Sequence, residues 1–152
     1  MDDTNPLRQL TPEELELLRW MFEHGSEDLR TFEPQLDGMR AAQWCDCGCP
    51  SIRLEIVEGA PQGRDIGQRI IGDFEGKTPQ GEPVGVLLFQ RGGKLELLEV
   101  YSCDDQLPRD DSSEWGLPTT NSVVPLLWEP LPHNPNVMIP LNSKNRRHEL
   151  GR

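Results

Sequence analysis

The sequence predicts an α+β domain in which two N-terminal helices pack on a four- to five-stranded, mostly antiparallel sheet, followed by an extended C-terminal arm. Three observations carry that prediction. Apolar residues recur at helical spacing up to Phe32, they alternate or run together in short segments between Ser51 and Ser102, and prolines recur after Gly116. A chain of 152 residues is long enough for a single core that buries roughly 70% of its unfolded surface. The expected division is one domain over 1–129 and a proline-rich arm over 130–152.

Thr11-Pro12-Glu13-Glu14 reads as a helix start: Thr11 is the N-cap, Pro12 the first helical residue, and Glu14 completes a capping box. Leu10 and Leu15 stand at the two positions of a hydrophobic staple. Leu15, Leu18, Met21 and Phe22 form the expected buried stripe, and His24-Gly25 ends the helix. Ser26 caps a second, shorter helix through Leu29 and Phe32, which Pro34 interrupts.

From Met39 the pattern turns extended. Ser51 to Val57 alternates, so that Ile52, Leu54 and Ile56 share one face of a half-buried strand. Gly59 to Gly67 reads as a surface loop, Ile70, Ile71 and Phe74 as a strand ending near Gly76, and Thr78-Pro79-Gln80-Gly81 as a turn. Val84 to Phe89 is nearly all apolar and suits a central strand covered on both faces. Gly92-Gly93 is a two-residue hairpin signal leading into Leu95 to Ser102, where Leu97-Leu98 breaks the alternation and marks a bulge or a doubly covered strand. Asp104 to Asp111 is acidic and loop-like. Trp115, Val123, Val124, Leu126, Leu127 and Trp128 are expected to fold back onto the sheet. Pro130, Pro132, Pro135 and Pro140 then disfavour regular structure, and the tail ends in basic residues that dock on the domain, on a second subunit, or fray.

The segments Cys47-Gly48-Cys49-Pro50-Ser51, Gly85-Val86-Leu87-Leu88-Phe89 and Gly92-Gly93-Lys94-Leu95 together resemble a family of small bacterial proteins with a Cys-Gly-Cys-Pro-Ser strand and a Gly-Val-Leu-Leu-Phe hairpin. The resemblance spans about residues 40–105 and implies the sheet. It implies no activity, since that family's function is unknown. In size, acidity and layout the chain is also similar to immunity proteins of bacterial toxin systems, a likeness of style without a shared motif.

The formal charge of −11 argues against a nucleic-acid-binding surface, which needs Lys and Arg to neutralise phosphates. A basic protein partner is the expectation that follows. Met1 to Leu10 has neither a basic region nor an apolar run of the secretory type, and no apolar segment approaches the ~20 residues that span a bilayer. A cytoplasmic protein that does not engage membranes is therefore expected.

Three of the four cysteines fall at alternate positions in Cys45-Asp46-Cys47-Gly48-Cys49. With Cys103 they supply the four thiols of a structural zinc site, whose Zn–S bonds are about 2.3 Å. Alternate residues of a regular strand stand about 7 Å apart, so the set needs a bend that Gly48 and Pro50 could supply. Thiol redox chemistry is the other active reading, although Asp46 opposes the electropositive setting it requires. Packing of small cysteines beneath Trp44 is the leading reading, with no cofactor.

No nucleophile–base arrangement is recognisable around His24, His133 or His148, so no catalytic residue is assigned. The expected function is that of a small acidic, non-enzymatic protein-binding module, immunity-like in style. Asp104, Asp105, Asp110, Asp111 and Trp115 form the expected binding surface, by charge steering and an aromatic anchor. A homodimer through the C-terminal arm is a further expectation. The alternative is a cysteine-centred zinc or thiol-redox protein.

Overall fold

Helix α1 (Pro12–His24) begins where the Thr11 hydroxyl accepts the Glu14 N–H at 3.1 Å and Glu14 Oε1 accepts the Thr11 N–H at 2.9 Å, the predicted capping box. Both Glu14 oxygens also take a two-pronged bond from the Arg8 guanidinium, 2.9 Å on each side. That pairing decides which face turns inward. Glu14, Leu17, Leu18, Met21 and Phe22 are buried, whereas Leu15 is only half-buried. Leu17 thus takes the place expected of Leu15, because a carboxylate with all its partners made can lie inward at the head of the stripe. Ser26 Oγ caps α2 (Glu27–Arg30) through the Leu29 N–H, and Pro34 falls in a following 3-10 turn, Glu33–Leu36.

The structure is a computed structural model, and it describes residues 5–44, 49–102, 116–126, 128–131 and 134–140, the last two segments by their backbone alone. Seven strands form one antiparallel sheet: β1 (Arg8–Gln9), β2 (Arg40–Gln43), β3 (Ile52–Glu55), β4 (Ile70–Lys77), β5 (Pro83–Arg91), β6 (Lys94–Ser102) and β7 (Val124–Pro125). Their spatial order is β1-β2-β3-β6-β5-β4-β7. The sheet exceeds the expected four to five strands mainly at its margins, where β1 and β7 are two residues each and too short to show any alternation. Of the apolar residues expected to fold back, Val123, just before β7, lies in the core and Leu126 is half-buried, whereas Val124 is exposed; Trp115 and Leu127 lie outside the described residues.

Two further strands, β8 (Trp128–Leu131) and β9 (Asn134–Pro140), pair as a separate antiparallel ribbon across the expected boundary at 129/130, where the prolines were expected to disfavour regular structure. Both strands of such a ribbon have an unpaired edge, so prolines 130, 135 and 140 need not break its ladder.

The helices cover one face of the sheet. Leu17, Leu18, Met21, Phe22, Leu29 and Phe32 form one cluster with Ile52 and Leu54 of β3, Phe74 of β4, Val86 and Leu88 of β5, and Leu95 and Leu98 of β6. β5 lies centrally between β4 and β6, as its apolar run predicts, but it is not covered on both faces: Leu87 and Phe89 are only half-buried. Gly92 and Gly93 have φ of 59° and 85°, the paired positive values of a tight hairpin turn. No described helix is long and apolar enough to cross a membrane.

Glu14 gives the fold a pH dependence. Burial pushes its carboxyl upward, but the hydrogen bonds from Arg8 and Thr11 and the charge of Arg8 outweigh this and hold it below its ordinary value near 4.5. A carboxyl depressed in the folded state stabilises above its unfolded value and loses that contribution as pH falls through the folded one. Glu14→Gln should therefore be less stable than the parent at pH 7, and the gap in urea midpoints should narrow below about pH 4.5. A gap independent of pH would show that the ion pair contributes nothing.

Candidate ligand cleft on the open sheet face

The face of the sheet turned away from the helices is shaped by two β-bulges. On β6, Phe89 pairs with Leu97 and Gln90 with Leu95, leaving Glu96 as the extra residue. On β4, Ile70 pairs with Phe89 and Gly72 with Leu88, leaving Ile71 extra. An added residue reverses which way the following side chains point. Leu95 and Leu98 therefore both enter the core, and Leu97 turns to the opposite face. The break in alternation at Leu97-Leu98 thus reflects both expected causes, a bulge and burial on both faces.

Both bulges flank Phe89 at the same end of β5, and there the open face sinks into a cleft of about 550 Å³. Its lining combines Trp44, Phe89 and Leu97 with Arg53, Arg69, Arg91, Glu96 and Glu99. Glu96 accepts from Arg69 Nη2 at 2.5 Å and from Arg91 Nε at 3.1 Å. The Arg69 guanidinium also lies over the Phe89 ring, 5.7 Å from its centroid. Arg69 and Arg91 are mostly solvated, so these pairs orient the rim more than they stabilise the fold.

Arg53 differs from them. It stands opposite Leu97 in the β3–β6 ladder, its side chain is only 19% exposed, and its Nη1 donates to Glu55 at 2.8 Å. Its Nε–H is buried and meets no acceptor among the described residues. Most buried donors are paired, and an unpaired one costs about 1–3 kcal/mol.

Further along β5, Gly85 faces Tyr101 of β6. A Cβ on Gly85 would lie 2.0 Å from Tyr101 Cζ, so the ring rests directly on glycine backbone. Gly85→Ala is expected to destabilise by about 1–3 kcal/mol through overpacking. In a double-mutant cycle, most of that cost should disappear when Tyr101→Ser is combined with it. Additive effects would mean the ring yields freely.

Of the residues the sequence singled out, Cys49 is described and half-buried. Cys45, Cys47 and Cys103 lie outside the described residues, as do Asp104, Asp105, Asp110, Asp111 and Trp115. Among the described residues, no three Cys, His, Asp or Glu side chains gather to hold an ion. His24 stacks on Trp20 with ring centroids 4.0 Å apart, and its Nδ1 is 2.9 Å from the Trp20 carbonyl oxygen, a helix-end role. Apart from Trp44, named in the sequence only as a cover for the cysteines, the cleft residues escaped sequence reasoning because the lining comes from five separate segments and forms no motif. The one available signal was the disturbed alternation at Leu97-Leu98.

No protein-family model, curated protein or solved structure matches the chain. The cleft is therefore interpreted from its own chemistry.

Proposed function

We propose that this chain is a small, non-enzymatic protein-binding module and that it engages its partner through the cleft on the open sheet face. The observation that carries the reading is the cleft itself, in which Arg53, Arg69 and Arg91 line one concavity with Trp44, Phe89 and Leu97. Trp and Arg are the side chains most often responsible for binding energy at interfaces, particularly where solvent is excluded. The chemistry of the lining also favours binding over catalysis. Guanidinium groups stay protonated near neutral pH and offer no general base, and of the two lining carboxylates Glu96 is already engaged by Arg69 and Arg91.

The test uses a photo-crosslinking amino acid placed at Phe89 and, as a control, at exposed Val57. A partner captured at position 89 but not at 57 should bind the purified chain, and Trp44→Ala or Arg53→Ala should each weaken that binding about tenfold or more. Equal capture at both positions, or an affinity unchanged by both substitutions, would refute the reading.

A further inference from the structure

We propose that the groove along α1 docks a basic, amphipathic segment of a second protein, which sets an apolar side chain on Leu15 and Trp20 and a lysine or arginine against Glu16 and Glu23. The groove lies on the helical layer, across the sheet from the cleft, so the inference goes beyond the reading of the cleft and stands without it.

Pro12, Leu15, Glu16, Arg19, Trp20 and Glu23 line this groove of about 700 Å³, and their spacing of three and four residues makes them one continuous stripe of α1. The stripe runs about 16 Å at the ~1.5 Å rise of each helical residue, room for a short peptide. It lies beside the stripe that carries the fold, which is Glu14, Leu17, Leu18, Met21 and Phe22. Leu15 is the staple residue that the sequence places in the core and the structure leaves half-buried, and Trp20 packs on the core while it too stays half-buried. Two large apolar side chains therefore keep accessible area in one concavity.

Both walls are fixed before anything binds. Trp20 Nε1 donates to the Val123 carbonyl at 2.9 Å, which sets the plane of the indole. The other wall, Thr120 and Asn121, belongs to the 3-10 turn Thr120–Ser122, whose Ser122 Oγ accepts the Lys77 N–H at 2.9 Å and donates to the Thr119 carbonyl at 2.7 Å. A ring already held in place loses little freedom on binding, and tryptophan is prominent among the side chains that carry interface energy.

Charge selects the occupant. Among the described residues no cation pairs with Glu16 or Glu23, and Arg19, between them on the stripe, bonds to neither. Glu23 stands in the last turn of α1, where the partial charge of the helix end is itself negative, so its carboxylate opposes the helix instead of supporting it. Arg30 reaches the carbonyls of Phe22 and Glu23 at that end and leaves the carboxylate open. Two carboxylates and one guanidinium give the lining a net charge of −1, on a chain of −11. A basic segment is attracted by both, whereas an acidic segment or a nucleic acid is repelled by both.

The isotopically labelled full chain is titrated with acetyl-Leu-Lys-Lys-Leu-Leu-Lys-Lys-Leu-amide and with its uncharged counterpart acetyl-Leu-Gln-Gln-Leu-Leu-Gln-Gln-Leu-amide. The basic peptide is expected to shift the Trp20 indole N–H saturably, to leave that of Trp44 in place, and to bind about tenfold or more tightly than the neutral one. Glu16→Gln combined with Glu23→Gln should weaken binding about tenfold, and so should Leu15→Ala. Glu33→Gln combined with Glu58→Gln removes the same charge from exposed positions outside the groove and should change affinity by no more than about twofold.

Equal affinity for the two peptides overturns the inference, as does an absence of a saturable shift at Trp20. An equal loss from the two charge-matched pairs would reduce the attraction to net charge and overturn it as well. A shift at Trp44 in place of Trp20 would move the basic segment to the cleft, so that the reading of the cleft stands and the groove inference falls. With no peptide present, a Trp20 indole that moves on combining Arg146→Gln with Arg147→Gln would assign the groove to the chain's own tail, and one that moves with protein concentration would assign it to a second copy. Either result excludes a segment of another protein.

Discussion

Phe32→Ala should lower the free energy of unfolding by about 3–5 kcal/mol, the range for removing a fully buried aromatic ring. The ring is 0% exposed and belongs to the cluster that joins the helices to the sheet. It also supports the long segment between β3 and β4. A Cβ on Gly63 would lie 2.4–2.5 Å from three atoms of the ring, so the Gly63 backbone rests on its face. Gly63 N–H in turn donates to the Gly93 carbonyl at 2.8 Å, which ties the segment to the β5–β6 hairpin. Loss of the ring thus leaves a cavity in the core and removes the support under that tie. Urea denaturation should give the energy, and hydrogen exchange at Gly63 should accelerate beyond what the global loss alone produces. A cost below about 1 kcal/mol, or a Gly63 amide that follows global unfolding, would contradict this account of Phe32.

The local signals in the sequence correspond to interactions made between near neighbours. Thr11, Glu14 and Ser26 announce caps that are complete within three residues, and Gly92-Gly93 supplies the two positive φ values its hairpin needs. The alternation of Ile52 and Leu54 gave the correct inward face of β3 for the same reason, since period two belongs to the strand itself. Features that depend on distant partners were not legible in this way. Leu15 was expected in the core, but Arg8 comes back over Glu14 and the inward stripe runs through Leu17. β1 and β7 exist because β2 and β4 offer them edges, and two residues cannot advertise a strand.

The cleft shows the same division. Its apolar floor was partly visible, because Phe89 and Leu97 stand in segments that read as strands. Its charged lining was not, because Arg53, Arg69, Arg91 and Glu96 each look like an ordinary solvated residue of a polar face. The antiparallel register and two bulges bring them together, and only the bulge beside Leu97 left a trace in the pattern. Composition pulled attention the other way: the acidic run and the cysteine cluster are dense in sequence, while the arginines are spread over 39 positions from Arg53 to Arg91.

Gln35 poses the converse case, a polar residue with no sequence signal and a large expected effect. It lies in the 3-10 turn after α2 and is 0% exposed. Its Nε2 donates to the carbonyls of Pro61 at 2.9 Å and Gly93 at 2.7 Å, while its Oε1 accepts the Leu95 N–H at 2.9 Å. One side chain therefore serves the helical layer, the loop and the hairpin together. Gln35→Ala should cost about 2–5 kcal/mol, because Pro61 and Leu95 lose their bonds inside the protein, whereas the Gly93 carbonyl keeps the Gly63 N–H. Gln35→Glu is nearly isosteric yet should be worse near neutral pH. It replaces the two-proton donor with carboxylate oxygens that face two carbonyl oxygens, in a place where charge is poorly solvated. Acid should reverse part of that penalty, since a protonated carboxyl can again donate to one carbonyl. The variant's folded-state pKa would be raised, so its deficit relative to the parent shrinks as pH falls through that raised value. Stability curves for the parent and both variants between pH 4 and 8 would check this, as would the Leu95 amide exchange rate. A Glu variant as stable as the parent at pH 7 would mean that water reaches the site and that Gln35 does not bridge the three elements as a dry link.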